Sequence, residues 1–216
     1  FEDKRFFKHP GIDVAAIARA SIANFSKRQI IQGGSTITMQ VIRMAKKNNE
    51  RSIWNKLKES LFALRLEMSC SKKEILGLYA SNAPFGSNVV GLDAAAWRYF
   101  GRTAKKLSWA EMATLAVLPN APSLVHPGKN REELIKKRNR LLDKLAADGK
   151  ITPETASLSK LESLPEKPIP LPQQAPHLLQ RFKKEINGTD LSTKIKTTLD
   201  GRLQQQVTAL LQQQHQ

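Results

Sequence analysis

The sequence predicts a mainly α-helical protein, and three observations lead to this fold class. Apolar residues recur at helical spacing through much of residues 12–149. Serine, threonine and glycine, which favour helix ends, stand at the borders of these apolar segments. Strand-like alternation of polar and apolar residues marks one short segment, residues 192–200 near the C-terminal end, so little β-structure is expected.

The first two predicted helices flank a pair of glycines. Residues 12–25 are rich in Ala and Ile and follow Pro10-Gly11, which favours a buried helix. The segment RQIIQGG then interrupts the helical pattern. A second helix is expected to begin near Ser35 or Thr36, because either hydroxyl can cap it, and to continue through TMQVIRMAKK.

A longer helix is predicted within NNERSIWNKLKESLFALRLEM. Its apolar residues recur close to helical spacing, at Ile53, Leu57, Leu61, Leu64 and Met68. The first four of these, Ile53 to Leu64, are expected to form its buried side. Four shorter helices follow, at residues 71–79, at 89–101 with a C-terminal glycine, at 107–119 with Ser108 as N-cap, and at 131–149 closed by Gly149.

The character of the chain changes after Glu154. Residues 164–176 contain five prolines and predict an extended linker. The alternating segment at 192–200 predicts a strand, and the Gln-rich tail resembles the start of another domain. We therefore predict one domain at 1–163 and a linker region at 164–216.

Composition restricts the classes of function. The chain carries 35 Lys and Arg against 19 Asp and Glu, a net charge of +16. Such a field attracts nucleic acid, an anionic membrane surface or a substrate with a pyrophosphate group. Only 6% of residues are aromatic and no nucleic-acid-binding signature is present, which argues against nucleic acid. The single cysteine, Cys70, excludes an internal disulfide framework.

Individual candidate residues have ordinary explanations when they are considered one at a time. Lys56 and Glu59 are three residues apart on a helix, and such pairs are usually solvated. His9 is of a type that more often donates structural hydrogen bonds than catalyses a reaction. The segment GGSTITMQ at 33–40 combines glycines and hydroxyls at a helix start, which suits an anion, but it lacks the Lys-Ser/Thr ending of a P-loop.

The order of the motifs is more informative than any of them alone. FEDKRFFKHPG, GGSTITMQ, RSIWNKLKE and KKEILGLY together resemble the peptidoglycan glycosyltransferase family, the polymerase domains of class A penicillin-binding proteins, and residues 83–101 and 107–127 resemble its 1C branch. The resemblance covers about residues 1–180. The matching positions are Glu2, Asp3, Phe6, His9 and Gly11; Gly33, Gly34, Ser35, Thr36, Thr38 and Gln40; Lys56 and Glu59; Lys73, Ile75, Leu76 and Tyr79; and, more weakly, Lys137, Arg138 and Asn139.

The resemblance implies a lysozyme-like helical domain with a membrane-facing jaw at about 18–48. It implies polymerisation of lipid II into β-1,4-linked glycan with inversion at the anomeric carbon. Glu2 is then the general base, Lys56 stabilises the diphosphate leaving group, and Glu59 positions the cations or a metal. The implied substrate-binding residues are Asp3, Phe6, His9, Gly34, Ser35, Thr36, Gln40, Arg43 and Arg51.

The resemblance also implies partners and a location. These are lipid II and the growing glycan, an anionic membrane surface, inhibitors of the moenomycin type, and a transpeptidase domain in the native chain, with no nucleic acid. The implied location is the cytoplasmic membrane, with the catalytic domain on its periplasmic side. No tightly bound cofactor is expected, and the resemblance leaves open a divalent cation, Mg²⁺ or Mn²⁺, for which Glu59 is the candidate ligand.

Several positions depart from the family pattern, and other functions stay open. Asn55 stands where the third motif usually has Arg, Gly77 stands where the fourth usually has Glu, and Ser81 stands near where the fourth has Asn. A lysozyme-like hydrolase or lytic transglycosylase would also use acidic residues in a helical cleft. A scaffold that binds cell-wall precursors without catalysis is a further alternative.

Overall fold

A computed structural model describes residues 2–19, 34–46, 52–86, 89–120, 127, 130–170, 175–186 and 197–214. The chain divides into two compact units, Phe1–Ile169 and Pro170–Gln216. The first contains a helical segment at 14–19 (α1), then Ile37–Ala45 (α2), Ile53–Ser69 (α3), Lys72–Asn82 (α4), Leu92–Phe100 (α5), Trp109–Val117 (α6), Arg131–Ala147 (α7) and Pro153–Leu161 (α8). The second contains Pro176–Ile186 (α9) and Gly201–Gln214 (α10).

The described part of the chain confirms the mainly α prediction. Its β-structure is one isolated bridge between Pro84 and Val90. Residues 197–200, the described end of the predicted strand, form no strand, and residues 192–196 lie outside the described residues. None of the described helices combines the length and the apolarity that crossing a bilayer requires.

Several helices begin where side chains cap them. Thr36, one of the two predicted caps, accepts a hydrogen bond from the Met39 N–H at the start of α2. Ser71 and Ser108 form capping boxes with Glu74 and Glu111 at the starts of α4 and α6. These side chains satisfy backbone N–H groups that have no partner within the helix.

Two groups of packed helices form the first unit. Helix α2 packs against α3 and α4, and α7 packs against α6 and α8. One continuous core of buried residues extends from Phe6 and Ile37 to Leu134 and Leu142. The N-terminal motifs therefore lie on the α2–α3–α4 group, and the other helices support it.

The prediction for the buried side of the long helix is wrong. On α3, Leu57, Leu61 and Leu64 are 53%, 61% and 37% exposed, whereas Ala63 is fully buried and Glu59 is 6% exposed. The side chain of Ile53, the fourth residue of the predicted buried side, lies outside the described residues. The side of α3 that faces α2 thus carries the carboxylate, and the apolar stripe faces away from the core. The physical reason is that Glu59 finds a cationic partner on α2, as described below.

The first predicted helix also differs from expectation. It begins at residue 14, and Val14 at its start is 74% exposed, so α1 is not buried in its described part. Asp13 caps it, because its carboxylate accepts the Ala16 N–H at 2.8 Å. Residues 20–25, and with them most of the predicted jaw at 18–48, lie outside the described residues.

Two arginines of α7 fix the C-terminal end of the first unit. The Arg138 guanidinium is 2% exposed and donates to the carbonyls of Lys160 and Glu162 at 2.9 and 2.6 Å. The Arg131 guanidinium donates to the Leu164 and Pro165 carbonyls at 3.0 and 2.6 Å. Arg138 of the weak fifth motif therefore supplies a structural contact. The assignment of functions to residues 1–163 and 164–216 stays a prediction.

Candidate active site

The N-terminal motif is bound to the start of α2 through Asp3. The Asp3 carboxylate accepts the Ile37 N–H at 3.2 Å and lies 3.0 Å from Nε2 of His9. The side chains of Asp3 and His9 are only 4% and 8% exposed. Asp3 and His9 thus hold the motif in place, as buried polar groups with partners commonly do.

Phe6 and Lys72 attach the N-terminal motif to the core. Phe6 is 3% exposed and belongs to the core. The Lys72 ammonium lies 4.5 Å from the centre of the Phe6 ring and donates to the His9 carbonyl at 2.6 Å. Glu67 neutralises this ammonium at 2.7 Å and also accepts from the Thr38 hydroxyl at 2.6 Å.

Sequence reasoning missed this Thr38–Glu67–Lys72 network. Thr38 belongs to the matched second motif, but nothing in the spacing of Glu67 or Lys72 distinguishes them from surface charges. Their partial burial depends on the packing of α2, α3 and α4, which sequence periodicity does not report.

Glu2, the expected general base, lies beside α2. Its Oε2 accepts a long hydrogen bond of 3.4 Å from the Gln40 amide. Its Oε1 is buried and has no hydrogen-bond partner among the described residues. One carboxylate oxygen is therefore left for another group.

Thr36 has a structural role in this geometry. Its hydroxyl donates to the Gly11 carbonyl at 2.6 Å and accepts the Met39 N–H at 3.2 Å, and the residue is 2% exposed. A hydroxyl has a single proton to donate, so Thr36 has none for a diphosphate. The geometry does not support the predicted Thr36 contact with substrate, whereas neighbouring Ser35 is only partly buried.

Arg43 and Glu59 form a two-point ion pair between α2 and α3. Nε and Nη2 of Arg43 donate to the two Glu59 oxygens at 2.8 and 2.7 Å, and Nη2 also lies 3.3 Å from Ser35 Oγ. The hydrogen bonds that Arg43 donates to Glu59 raise the pKa of Arg43. The Glu59 side chain is 8% exposed and that of Arg43 is 37% exposed, so the carboxylate faces the core and the cation faces outward.

Helix α2 brings the two glutamates into one region. Gln40, which contacts Glu2, and Arg43, which contacts Glu59, are three residues apart and so share one side of the helix. Lys56 on α3 is exposed, and its ammonium pairs with no acidic side chain in the described part of the chain. Gly34 is buried at the entrance to α2, and the predicted Arg51 lies outside the described residues.

The residues do not suit a metal at Glu59. Both oxygens of Glu59 are bound by Arg43, which supplies the positive charge that a cation would bring. Asp3, His9 and Asp13 also have ligand atoms close enough to share an ion. However, the Arg5 guanidinium already pairs with Asp13 through a 2.9 Å contact from its Nε, and His9 already contacts Asp3. We therefore derive no step through a metal.

Comparison with known proteins assigns the family. A family model described as Transglycosylase matches residues 1–146. The chain belongs to the transglycosylase family. The resemblance predicted from the motifs is thereby confirmed, and with it the enzyme class at the level of the family.

The curated relatives are penicillin-binding proteins. Penicillin-binding protein 1C of Escherichia coli strain K12 is 39% identical over 98% of this chain, and the match covers 27% of that protein. Penicillin-binding protein 1A of Aquifex aeolicus is 42% identical over 71% of the chain and 21% of that protein. This transglycosylase chain thus spans about a quarter of the length of the relatives that it matches.

Proposed function

We propose that the chain is a peptidoglycan glycosyltransferase that joins lipid-linked disaccharides, lipid II, into β-1,4 glycan. The carrying observation is that two carboxylates beside α2 have opposite environments. Glu2 retains an oxygen without a partner, whereas Glu59 is paired with Arg43. This reaction needs a proton acceptor and a cation, and here the acceptor lies beside α2 and the cation lies on it.

The reaction begins at the acceptor sugar. Glu2 takes the proton of the 4-hydroxyl while that oxygen attacks the anomeric carbon of the donor. A carboxylate in this role contributes about 10²–10⁴-fold to the rate. Attack from the side opposite the lipid diphosphate inverts the anomeric centre.

The cations act on the departing diphosphate. Negative charge grows on it as the bond to the anomeric carbon breaks, and preorganised donors stabilise that charge. Arg43, held by Glu59 and facing outward, and the exposed Lys56 are in this role, with the Ser35 hydroxyl beside them. The geometry favours Glu59 as the residue that positions Arg43.

An anionic membrane surface is the proposed environment, on the periplasmic side of the cytoplasmic membrane. The support comes from α3, on which Trp54, Leu57 and Leu61 are exposed alongside Lys56 and Lys58. Apolar residues mixed with cations are typical of helices that lie at a lipid interface. The lipid-linked substrates, moenomycin-type inhibitors and a transpeptidase domain in the native chain belong to the same proposal.

Polymerisation of lipid II in detergent tests this function. We expect moenomycin-sensitive glycan chains from the wild-type chain and none from Glu2→Gln. Lys160→Gln removes a charge that pairs with Asp143 between α7 and α8, so it is a charge-removal control and is expected to retain activity. Release of soluble sugars from preformed glycan, without polymerisation, would instead support the hydrolase alternative.

A further inference from the structure

Three buried polar atoms lack partners, and one of them belongs to the proposed base. Among the described residues, Glu2 Oε1, His9 Nδ1 and the Tyr79 hydroxyl are buried and make no hydrogen bond. Unpaired buried polar atoms are rare in folded proteins, and they often mark a place where a water or a ligand binds. The Tyr79 hydroxyl is a donor and Glu2 Oε1 is an acceptor, so these two can bind the same water or ligand atom.

Tyr79 lies on a helix that packs against the helix beside Glu2. Tyr79 lies on α4, which packs against α2, the helix whose Gln40 contacts Glu2. The tyrosine is 8% exposed and belongs to the core that includes Phe6 of the first motif. Burial, and secondly the charge of Glu2, raise the pKa of the Tyr79 phenol. The phenol therefore keeps its proton at neutral pH and remains a donor.

A second tyrosine of the core shows the usual arrangement. Tyr99 is 1% exposed, and its hydroxyl donates to the Phe85 carbonyl at 2.9 Å. The core thus provides a carbonyl for Tyr99, but no partner for Tyr79. This contrast indicates that the Tyr79 hydroxyl is directed to something other than fold stability.

We propose that Tyr79 is a positioning residue for the base, and that its hydroxyl and Glu2 Oε1 share one oxygen, that of the acceptor sugar hydroxyl in the substrate complex or of a water in its absence. Tyr79 donates to this oxygen and keeps its own proton. The oxygen's proton points to Glu2 Oε1 and passes to it as the new C–O bond forms and the bond to the diphosphate breaks. The proposal rests on the proposed function, since the acceptor is that reaction's nucleophile.

The first experiment compares Tyr79→Phe with the matched variant Tyr99→Phe in lipid II polymerisation by this chain. We expect Tyr79→Phe to lower kcat about ten- to a hundredfold, as misplacement of reacting groups does. Its thermal stability should change little, because the hydroxyl binds only the shared water and no group of the fold. We expect the reverse for Tyr99→Phe, with lower stability and near-normal kcat.

The pH profile separates positioning from structure. Removing the Tyr79 hydroxyl, a donor close to the base, disfavours the charged form of the Glu2 carboxylate. The acid limb of kcat/KM should therefore move to higher pH in Tyr79→Phe and stay in place in Tyr99→Phe. A Tyr79→Phe enzyme with wild-type rate and profile would overturn the proposal. So would a loss of rate that merely follows a loss of folded protein.

A readout without activity keeps this inference separate from the proposed function. If Glu2 and Tyr79 share a bound oxygen, the effect of Tyr79→Phe on thermal stability should differ between the wild-type and the Glu2→Gln backgrounds. Additive effects in this cycle would overturn the shared contact. Coupled effects in a chain that makes no glycan would support the contact and count against the glycosyltransferase function.

Discussion

Gly11 occupies a position where a side chain has no room. Its φ is +87°, and a Cβ atom would lie 2.9 Å from the Ala63 carbonyl oxygen and 2.9 Å from Cγ of Glu67. The close approach lets the first motif lie against α3, and the Gly11 carbonyl accepts the Thr36 hydroxyl. A family motif residue thus serves backbone contact rather than chemistry.

Gly11→Ala is expected to lower the free energy of unfolding by about 2–5 kcal/mol, the sum of a left-handed backbone penalty and overpacking. Gly149→Ala is the matched control, since its φ is +65° but nothing lies within 4 Å of the added carbon. We expect it to cost about 1–2 kcal/mol. Chemical unfolding of both variants measures the difference, and equal losses would contradict the steric argument.

Asp13 makes stability depend on acid. The hydrogen bond from Arg5 lowers the pKa of Asp13 to about 2, below its ordinary 3.8. Between these values the unfolded chain binds more protons than the folded one, so the stabilisation is complete above about pH 4 and is lost as pH falls towards 2.

We expect wild type to be more stable than Asp13→Asn near neutral pH, and the two stabilities to converge between about pH 4 and pH 2. Urea unfolding at a series of pH values gives this comparison. A gap that stays constant down to pH 2 would show that the Asp13 charge contributes nothing.

At the scale of elements, helix ends were predictable and helix faces were not. Thr36, Ser108 and Gly149 act through the adjacent backbone, so local sequence is enough to predict them. The buried face of α3 depends on Arg43 and Lys72, which lie on other helices and neutralise Glu59 and Glu67. Apolar spacing alone therefore assigned the wrong face to the core.

The candidate site divides in the same way. The motif order predicted that Glu2, Gln40, Arg43 and Glu59 belong together, and the structure places these side chains along α2. The motif order did not predict that the Thr36 hydroxyl bonds the Gly11 carbonyl or that the Tyr79 hydroxyl has no partner among the described residues. Hydrogen-bond partners depend on tertiary packing, which spacing does not contain.

The exposed stripe of α3 gives a prediction for this helix. Leu57→Gln with Leu61→Gln should change the free energy of unfolding by less than about 1 kcal/mol, since both side chains are more than half exposed. Binding to anionic vesicles should fall at least tenfold, because each leucine that enters lipid contributes about 1.5–3 kcal/mol.

Leu134→Ala is a control for the exposed α3 leucines, because it truncates a buried leucine instead. Leu134 is fully buried in the core, so its truncation should cost about 2–5 kcal/mol. Vesicle binding by the folded fraction should be unaffected. If the α3 double variant unfolds as readily as Leu134→Ala, its stripe supports the fold and not a lipid surface.

At the scale of the whole molecule, the limit of the first unit follows from the contacts of its last residues. Leu164 is 4% exposed in the core, and the Ile169 N–H donates to the Arg98 carbonyl at 2.6 Å. The proline-rich stretch, which composition predicts as a linker, thus begins as part of the packed unit. Prolines lack an N–H but keep their carbonyls, and Pro165 uses its carbonyl to accept from Arg131.

Two truncations test this limit. A chain ending at 170 retains Leu164 and the carbonyls of residues 164 and 165, so we expect the first unit to unfold cooperatively with little loss of stability. A chain ending at 163 exposes the Leu164 site and leaves the Arg131 guanidinium without these acceptors, which should cost at least about 2 kcal/mol. Thermal unfolding followed by circular dichroism compares the two chains. Equal melting temperatures would place the structural boundary at 163, where the composition predicts it, and would leave the contacts of Arg131 and Ile169 without energetic weight.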